Sequence, residues 1–203
     1  MTALRADLQI IAGLVPENSK VLDIGCGDGE LLAWLSGKKH VDGRGLEISQ
    51  SGVSASIARG LSVVQGDADT DLQHYPDGSY DYVILSQTLQ TMRDPNAVLA
   101  NLVRIGRHAI VSVPNFGYWK NRLYLLFKGR MPVTRTLSYQ WYDTPNIHFC
   151  TLSDFVELCE LIRISIQKRV YVDGKGIPYH FQGRGISANL FGEQGIFMLS
   201  RAS

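Results

Sequence analysis

Three glycines and an aspartate follow the first apolar segment of the chain. In "VLDIGCGDG", Asp23 precedes Gly25, Gly27 and Gly29, which alternate with other residues. Glycines between a strand and a helix let the backbone approach a ligand and direct helical N–H groups at it. The pyrophosphate of a dinucleotide would lie there, and Asp23 would repel it. A carboxylate at this position favours a ligand with a cationic amine.

Two more acids follow the next two apolar segments. Glu47 comes 24 residues after Asp23, at the end of "GLE", where a Rossmann-type fold carries an acceptor for ribose hydroxyls. Asp67, in "QGDAD", can accept a hydrogen bond from adenine N6. S-Adenosylmethionine (SAM) combines these groups and has no phosphate. We therefore expect SAM or S-adenosylhomocysteine as cofactor, bound by Asp23, Gly25, Gly27, Glu47, Ile48, Asp67, Ala68 and Ser86. The alternative is that the glycines only form a tight turn and that Asp67 only begins a loop.

Methyl transfer would also need an acceptor site near the carboxyl ends of the fourth and fifth strands. Ser86 and Gln87 end the fourth apolar segment and are expected near the methionyl end of SAM. Transfer to oxygen needs a base, and the catalytic candidate is His148 in "TPNIHFCT". A structural hydrogen-bonding role for His148 is the alternative. No spacing of Cys, His and carboxylates predicts a metal site.

The segments that must position these residues alternate between strand and helix. Helix signals are a capping Ser49, the pair Asp94-Pro95, and a capping box of Thr151 and Asp154. This alternation predicts a parallel sheet in a layered α/β sandwich. Strands are expected at 20–24, 43–48, 61–65, 80–86, 108–113, 163–172 and 189–200, and helices at 29–36, 49–59, 94–106 and 151–161.

Residues 115–150 break this alternation. They hold nine of the 19 aromatic residues, together with Lys120, Arg122, Lys128, Arg130 and Arg135. Three interpretations are open. The aromatics complete the core, form a lid over a small substrate, or form a docking surface rich in the residue types found at interface hot spots.

The overall composition is that of one α/β domain. We expect a single domain over residues 1–203, with an aromatic-rich insertion at about 115–150. A net charge of +1 gives no bulk attraction to nucleic acid. No apolar run approaches the ~18 residues of a membrane span, and the helical pattern from Leu4 to Val15 indicates a surface helix. Three cysteines without framework spacing indicate reduced thiols and a cytoplasmic protein.

The blocks "VLDIGCGDGELLAWL", "YQWYDTPNIHFCTLSDFVELC" and "NLFGEQGIFML" resemble the methionine biosynthesis protein MetW family, and the likeness runs from about Leu4 to the last strand. The resemblance implies a class I methyltransferase-like (Rossmann-like) three-layer sandwich with a mostly parallel seven-stranded sheet and an antiparallel last strand. It assigns cofactor positions to Asp23, Gly25, Gly27, Glu47 and Asp67.

The resemblance also implies a role in methionine biosynthesis as a partner and activator of homoserine O-acetyltransferase. Our leading expectation is therefore a SAM-binding partner of that enzyme, with a possible homodimer and with neither nucleic acid nor membrane as a partner. The alternatives are an active SAM-dependent methyltransferase acting on a small molecule, and a scaffold that has lost ligand binding.

Overall fold

The computed structural model describes residues 4–134, 136–179 and 186–202. Arg135 of the insertion and residues 180–185 lie outside this described part.

One sheet of eight strands organises the part of the chain that the structure describes. Its order is β3-β2-β1-β4-β5-β8-β6-β7. Neighbours among the first five strands are parallel, whereas β8 is antiparallel to β5 and to β6. The expected mostly parallel sheet with an antiparallel last strand is confirmed. The strands are β1 (Lys20–Ile24), β2 (Asp42–Glu47), β3 (Ser62–Gln65), β4 (Tyr80–Ser86), β5 (Gly106–Pro114), β6 (Ile164–Val172), β7 (Pro178–Tyr179) and β8 (Gln194–Arg201).

Side-chain caps begin four of the described helices, α3, α4, α5 and α7. The Asp94 side chain accepts a hydrogen bond from the Ala97 N–H at the start of α5, and Thr151 and Asp154 form the capping box of α7. Two short 3-10 turns lie at Leu72–His74 and Leu89–Thr91. The helices are α1 (Ala6–Leu14), α2 (Glu30–Lys39), α3 (Gln50–Ala58), α4 (Ala68–Asp71), α5 (Pro95–Ile105), α6 (Trp119–Lys128), α7 (Leu152–Leu161) and α8 (Ile186–Phe191).

Alternation along the central strands produces three layers. Val21 and Ile84 belong to a core cluster that includes side chains of α1 and α2. Leu22 and Leu85 belong to a separate cluster that includes α5 and α7. Because successive strand residues face opposite sides of the sheet, the helices cover both faces, as expected for the class I methyltransferase-like sandwich.

Two strand assignments differ from the sequence-based expectation. The first part of 189–200 is helical, because α8 runs to Phe191 and β8 begins only at Gln194. The eighth strand, β7, is a two-residue pairing with β6 that is too short to leave a pattern. The expected surface helix α1 is present, and its apolar face packs Leu8 and Ile11 against the sheet layer.

The insertion is closed at its base. The Phe116 N–H donates to the Cys150 carbonyl at 3.1 Å, so the two ends of the intervening segment meet. Within the segment α6 is a ten-residue helix that the sequence reasoning did not predict.

Asn115, at the start of this insertion, joins several elements. Its side chain, 1% exposed, donates to the carbonyls of Asn189 and Gly192, each at 2.7 Å. Its Oδ1 accepts from the Gly117 N–H at 2.9 Å and from the Leu152 N–H at 3.4 Å. One buried amide therefore connects the end of β5 to α7 and to the approach to β8.

We expect Asn115→Ala to lower the free energy of unfolding by about 2–4 kcal/mol, because buried carbonyl and N–H groups lose their partners. Asn101→Ala, on the exposed side of α5, is the control and should cost about 1 kcal/mol or less. Urea unfolding of both variants measures the difference. Equal midpoints would contradict the assigned role of Asn115.

Candidate functional site

The turn between β1 and α2 has a left-handed backbone at its glycines. Gly25 has φ of +68°, and a Cβ there would lie 2.9 Å from the Thr88 hydroxyl oxygen. Gly27 has φ of +57°, with open space where a Cβ would project. The left-handed conformation favours glycine at both positions. The turn can therefore lie close to a bound molecule.

Glu47 ends β2 and holds this turn. Its Oε2 accepts from the Gly27 N–H and its Oε1 from the Ser49 N–H, both at 2.8 Å. The side chain is buried. Each carboxylate oxygen has a second lone pair, so the group can still accept hydrogen bonds from ligand hydroxyls. The expected ribose acceptor is thus also a structural link between the β1–α2 turn and the end of β2.

Of the two acids, Asp23 has the less favourable electrostatic environment. It is 3% exposed and lies on β1, which pairs with β2 directly. Burial, and secondarily the Glu47 charge, raise the pKa of Asp23 to about 7. A ligand cation beside Asp23 would favour its ionised form.

Both acids line a cleft of about 520 Å³ at the carboxyl ends of the parallel strands. The glycine turn and Ser86 contribute to it as well. Arg5, just before α1, lines the same cleft and pairs with Asp7 at 3.1 Å. Part of the insertion completes the lining through Thr136, Ser138, Tyr139, Pro145 and Asn146.

A smaller pocket of about 140 Å³ continues from the cleft. The two share Gly25, Ile48, Thr88 and Thr91. Asp67 and Ala68 line the smaller pocket, so the eight expected cofactor residues all lie on this connected pair.

Asp67 has two partners at the small pocket. Its Oδ1 accepts from the Asp69 N–H at 3.0 Å, which caps α4. Its Oδ2 lies 2.9 Å from Nη2 of Arg93, a residue that also lines the pocket. An adenine amine would therefore meet a carboxylate that is already paired with a flexible cation.

The end of β4 adds an unusual backbone. Gln87 has φ of +51°, and its N–H lies 3.0 Å from both the carbonyl and the hydroxyl oxygen of Ser112. Its side chain donates to Asp7, the partner of Arg5. Non-glycine residues in this conformation cluster at functional sites. Ser86, adjacent to it, has its hydroxyl 3.2 Å from that of Ser112.

His148 is not brought to the cleft. It is exposed and lines neither pocket. Its backbone N–H and that of Ile147 both donate to the Gln90 carbonyl at 3.0 Å, which fastens the insertion to the 3-10 turn at Leu89–Thr91. In the part of the chain that the structure describes, no cluster of three or more Cys, His, Asp or Glu side chains could hold a metal ion.

Sequence reasoning missed Arg5, Thr88, Arg93 and the insertion residues of the cleft. Arg5 precedes the glycine turn by some 20 residues and belongs to no motif. Thr88 could have been predicted from its position, since it follows the fourth strand, where ligand-contacting residues of this fold occur.

Comparisons with known proteins identify the family and the fold. The family model described as methionine biosynthesis protein MetW matches residues 5–199. A "Bifunctional methionine biosynthesis protein MetXA/MetW" from Rhodopirellula baltica is 34% identical over 179 residues, covering 84% of this chain. The chain spans only 29% of that relative.

Solved structures share the fold. A chain from a Haloferax volcanii complex containing the Trm112 methyltransferase activator has a TM-score of 0.71 at 16% identity, covering 98% of this chain and 90% of its own. A SAM-dependent methyltransferase from Archaeoglobus fulgidus has a TM-score of 0.67 at 16% identity, covering 97% and 92%. The family match over nearly the whole chain, with the bifunctional relative, shows that this protein belongs to the methionine biosynthesis protein MetW family.

Proposed function

We propose that this protein binds SAM or S-adenosylhomocysteine in the connected pockets and acts in methionine biosynthesis as a partner and activator of homoserine O-acetyltransferase. The observation that carries the binding proposal is the convergence of eight sequence-predicted residues on one continuous site.

The chemistry of the site suits each part of the ligand. Asp23 would pair with the amine of the methionyl end, and Arg5 would pair with its carboxylate. Glu47 would accept the ribose hydroxyls. Ile48, 64% exposed, offers an apolar surface to adenine beside Asp67. An acid and a cation in one cleft match the zwitterion of an amino acid better than they match a polyphosphate.

The bifunctional relative supports the partnership. It joins a MetXA part and a MetW part in one protein, and by family resemblance the MetXA part corresponds to homoserine O-acetyltransferase. Joining two activities in one chain keeps them at high effective concentration. Cys26, Cys150 and Cys159 are free thiols, which supports a reducing, cytoplasmic setting.

The lining of the cleft favours a second candidate, a SAM-dependent methyltransferase acting on a small molecule. Beyond the expected position of the methionyl end, Thr136, Ser138, Tyr139 and Asn146 supply polar groups for an acceptor. Catalysis would then depend on positioning by these groups, because His148 does not line the cleft.

The deciding experiment is co-purification of the full chain with homoserine O-acetyltransferase from the same organism, with and without SAM. We expect a complex whose acetyltransferase activity exceeds that of the isolated enzyme. A search for methylated products in the same mixture tests the second candidate. No complex and no change in acetyltransferase activity would refute the partnership.

Glu47→Gln should weaken S-adenosylhomocysteine binding about tenfold or more, because ribose hydroxyls lose a charged acceptor. The amide keeps one acceptor oxygen, but its NH2 group then faces the second backbone N–H, so the melting temperature should fall and binding is measured at a temperature where the variant is folded. Isothermal calorimetry measures the affinity, and Glu17→Gln, at an exposed position outside the site, is the matched control. Unchanged affinity in Glu47→Gln would remove Glu47 from the binding site.

Affinity should depend on pH through Asp23. With a pKa of about 7, the carboxylate is roughly one-tenth ionised at pH 6 and nine-tenths ionised at pH 8. A cationic amine binds the ionised form, so wild-type affinity should rise up to about tenfold over this range, with release of a proton. Asp23→Asn should bind more weakly and lose this dependence. Calorimetry in buffers of different ionisation enthalpy detects the released proton.

The same variant should be more stable when empty. Between pH 3.8 and about 7 the folded protein retains a proton that the unfolded chain has lost, so the free energy of unfolding falls as pH rises. Asp23→Asn has no carboxyl group to ionise, so it should not lose this free energy of unfolding as pH rises. At pH 8 its melting temperature should exceed that of wild type by about 2–4 °C for each kcal/mol of unfolding free energy that is regained. A lower melting temperature at pH 8 would contradict the assigned desolvation.

A further inference from the structure

Helix α6 turns an apolar stripe toward solvent. Trp119, Leu123, Leu126 and Phe127 recur at helical spacing, and the last two are 73% and 76% exposed. Residues at this spacing share one side of a helix, and such a stripe ordinarily faces a core. Exposed apolar patches of this kind mark interaction sites.

The helix is held by polar contacts at its first turn rather than by its apolar side chains. Of the ten residues of α6, Asn121 alone is buried. Its amide donates to the Asn115 and Phe116 carbonyls, at 3.2 and 3.4 Å. Arg122 Nε donates to the Gly117 carbonyl at 2.5 Å. The stripe is therefore free while the helix remains anchored, a combination that suits a preformed docking element.

The charged residues of the segment that carries the stripe are all basic. Lys120, Arg122, Lys128 and Arg130 are exposed on or next to α6, and residues 115–142 contain no Asp or Glu. Two copies of this chain meeting through Leu126 and Phe127 would bring the cations of this segment together, while Asp173 lies at the other end of the helix, beside Trp119 and Lys120. The charge therefore disfavours self-association here and favours a partner with an apolar groove and an acidic rim.

We propose that the exposed face of α6, formed by Leu123, Leu126 and Phe127 with the flanking cations, is the surface that docks the acetyltransferase. This proposal rests on the proposed function. The partner is the one that a relative carries in the same chain, and its docking groove is apolar with acidic residues at the edge. Trp119, only 36% exposed and with the Lys120 ammonium 5.7 Å from its ring centroid, lies at the margin.

The test compares Leu126→Asp and Phe127→Asp with wild type in the full chain. Both side chains are mostly exposed and outside the cofactor site, so melting temperature and S-adenosylhomocysteine affinity should remain unchanged. Affinity for the acetyltransferase, measured by biolayer interferometry, should fall at least tenfold. Leu161→Asp is the matched control, since Leu161 is 77% exposed at the end of α7; it should bind like wild type.

Charge reversal gives a second, independent measurement. Arg130→Glu should slow association several-fold and weaken its salt dependence, whereas Lys38→Glu on α2 should not. If Leu126→Asp and Phe127→Asp both bind the acetyltransferase with wild-type affinity, the proposed surface is overturned but the partnership is not. No wild-type complex at all refutes the partnership and this surface with it. A wild-type homodimer that Leu126→Asp dissociates would assign the face to self-association and likewise overturn the proposal.

Discussion

The burial of Asp23 beside Glu47 is the constraint on which the site depends. The two acids lie near the carboxyl ends of two adjacent strands that are hydrogen-bonded to each other. The interactions that offset the burial of each carboxyl group differ. Glu47 has two backbone N–H donors at 2.8 Å, whereas no hydrogen bond from the described residues offsets the burial that raises the pKa of Asp23 to about 7. Without a ligand, the Asp23 carboxyl group therefore has no interaction with the described residues that stabilises its ionised form, and a bound cation would supply one.

The parallel strand order explains why distant motifs meet. β1 lies between β2 and β4, so the segments that follow these three strands open at the same edge. Asp23, Glu47 and Ser86 could be predicted from the sequence because each lies at or near the end of an apolar run. The small pocket follows the same rule, since Asp67 comes directly after β3. The caps of α5 and α7 were predictable because they are local signals of three or four residues.

The remainder could not be predicted because it depends on chain packing rather than local pattern. Arg5 reaches the cleft only because α1 packs on the sheet beside α2. The lining residues near Asn146 are brought there by two hydrogen bonds to the Gln90 carbonyl. Helix α6 was missed for another reason. Its apolar stripe faces solvent rather than the core. The aromatic residues of 115–150 were interpreted together as core, lid or docking surface, although the segment contains both an exposed helix and a wall of the cleft.

The closed base of that segment bears on how the family can diversify. Because the Phe116 N–H and the Cys150 carbonyl meet at 3.1 Å, the intervening residues leave and re-enter the body at one point. Insertions or replacements within such an excursion cost little closure entropy and leave strand register untouched. The exposed helix α6 within it can consequently vary without altering the cleft, because none of its residues lines either pocket of the site. The surface of α6 can thereby evolve separately from the strand ends that line the cleft.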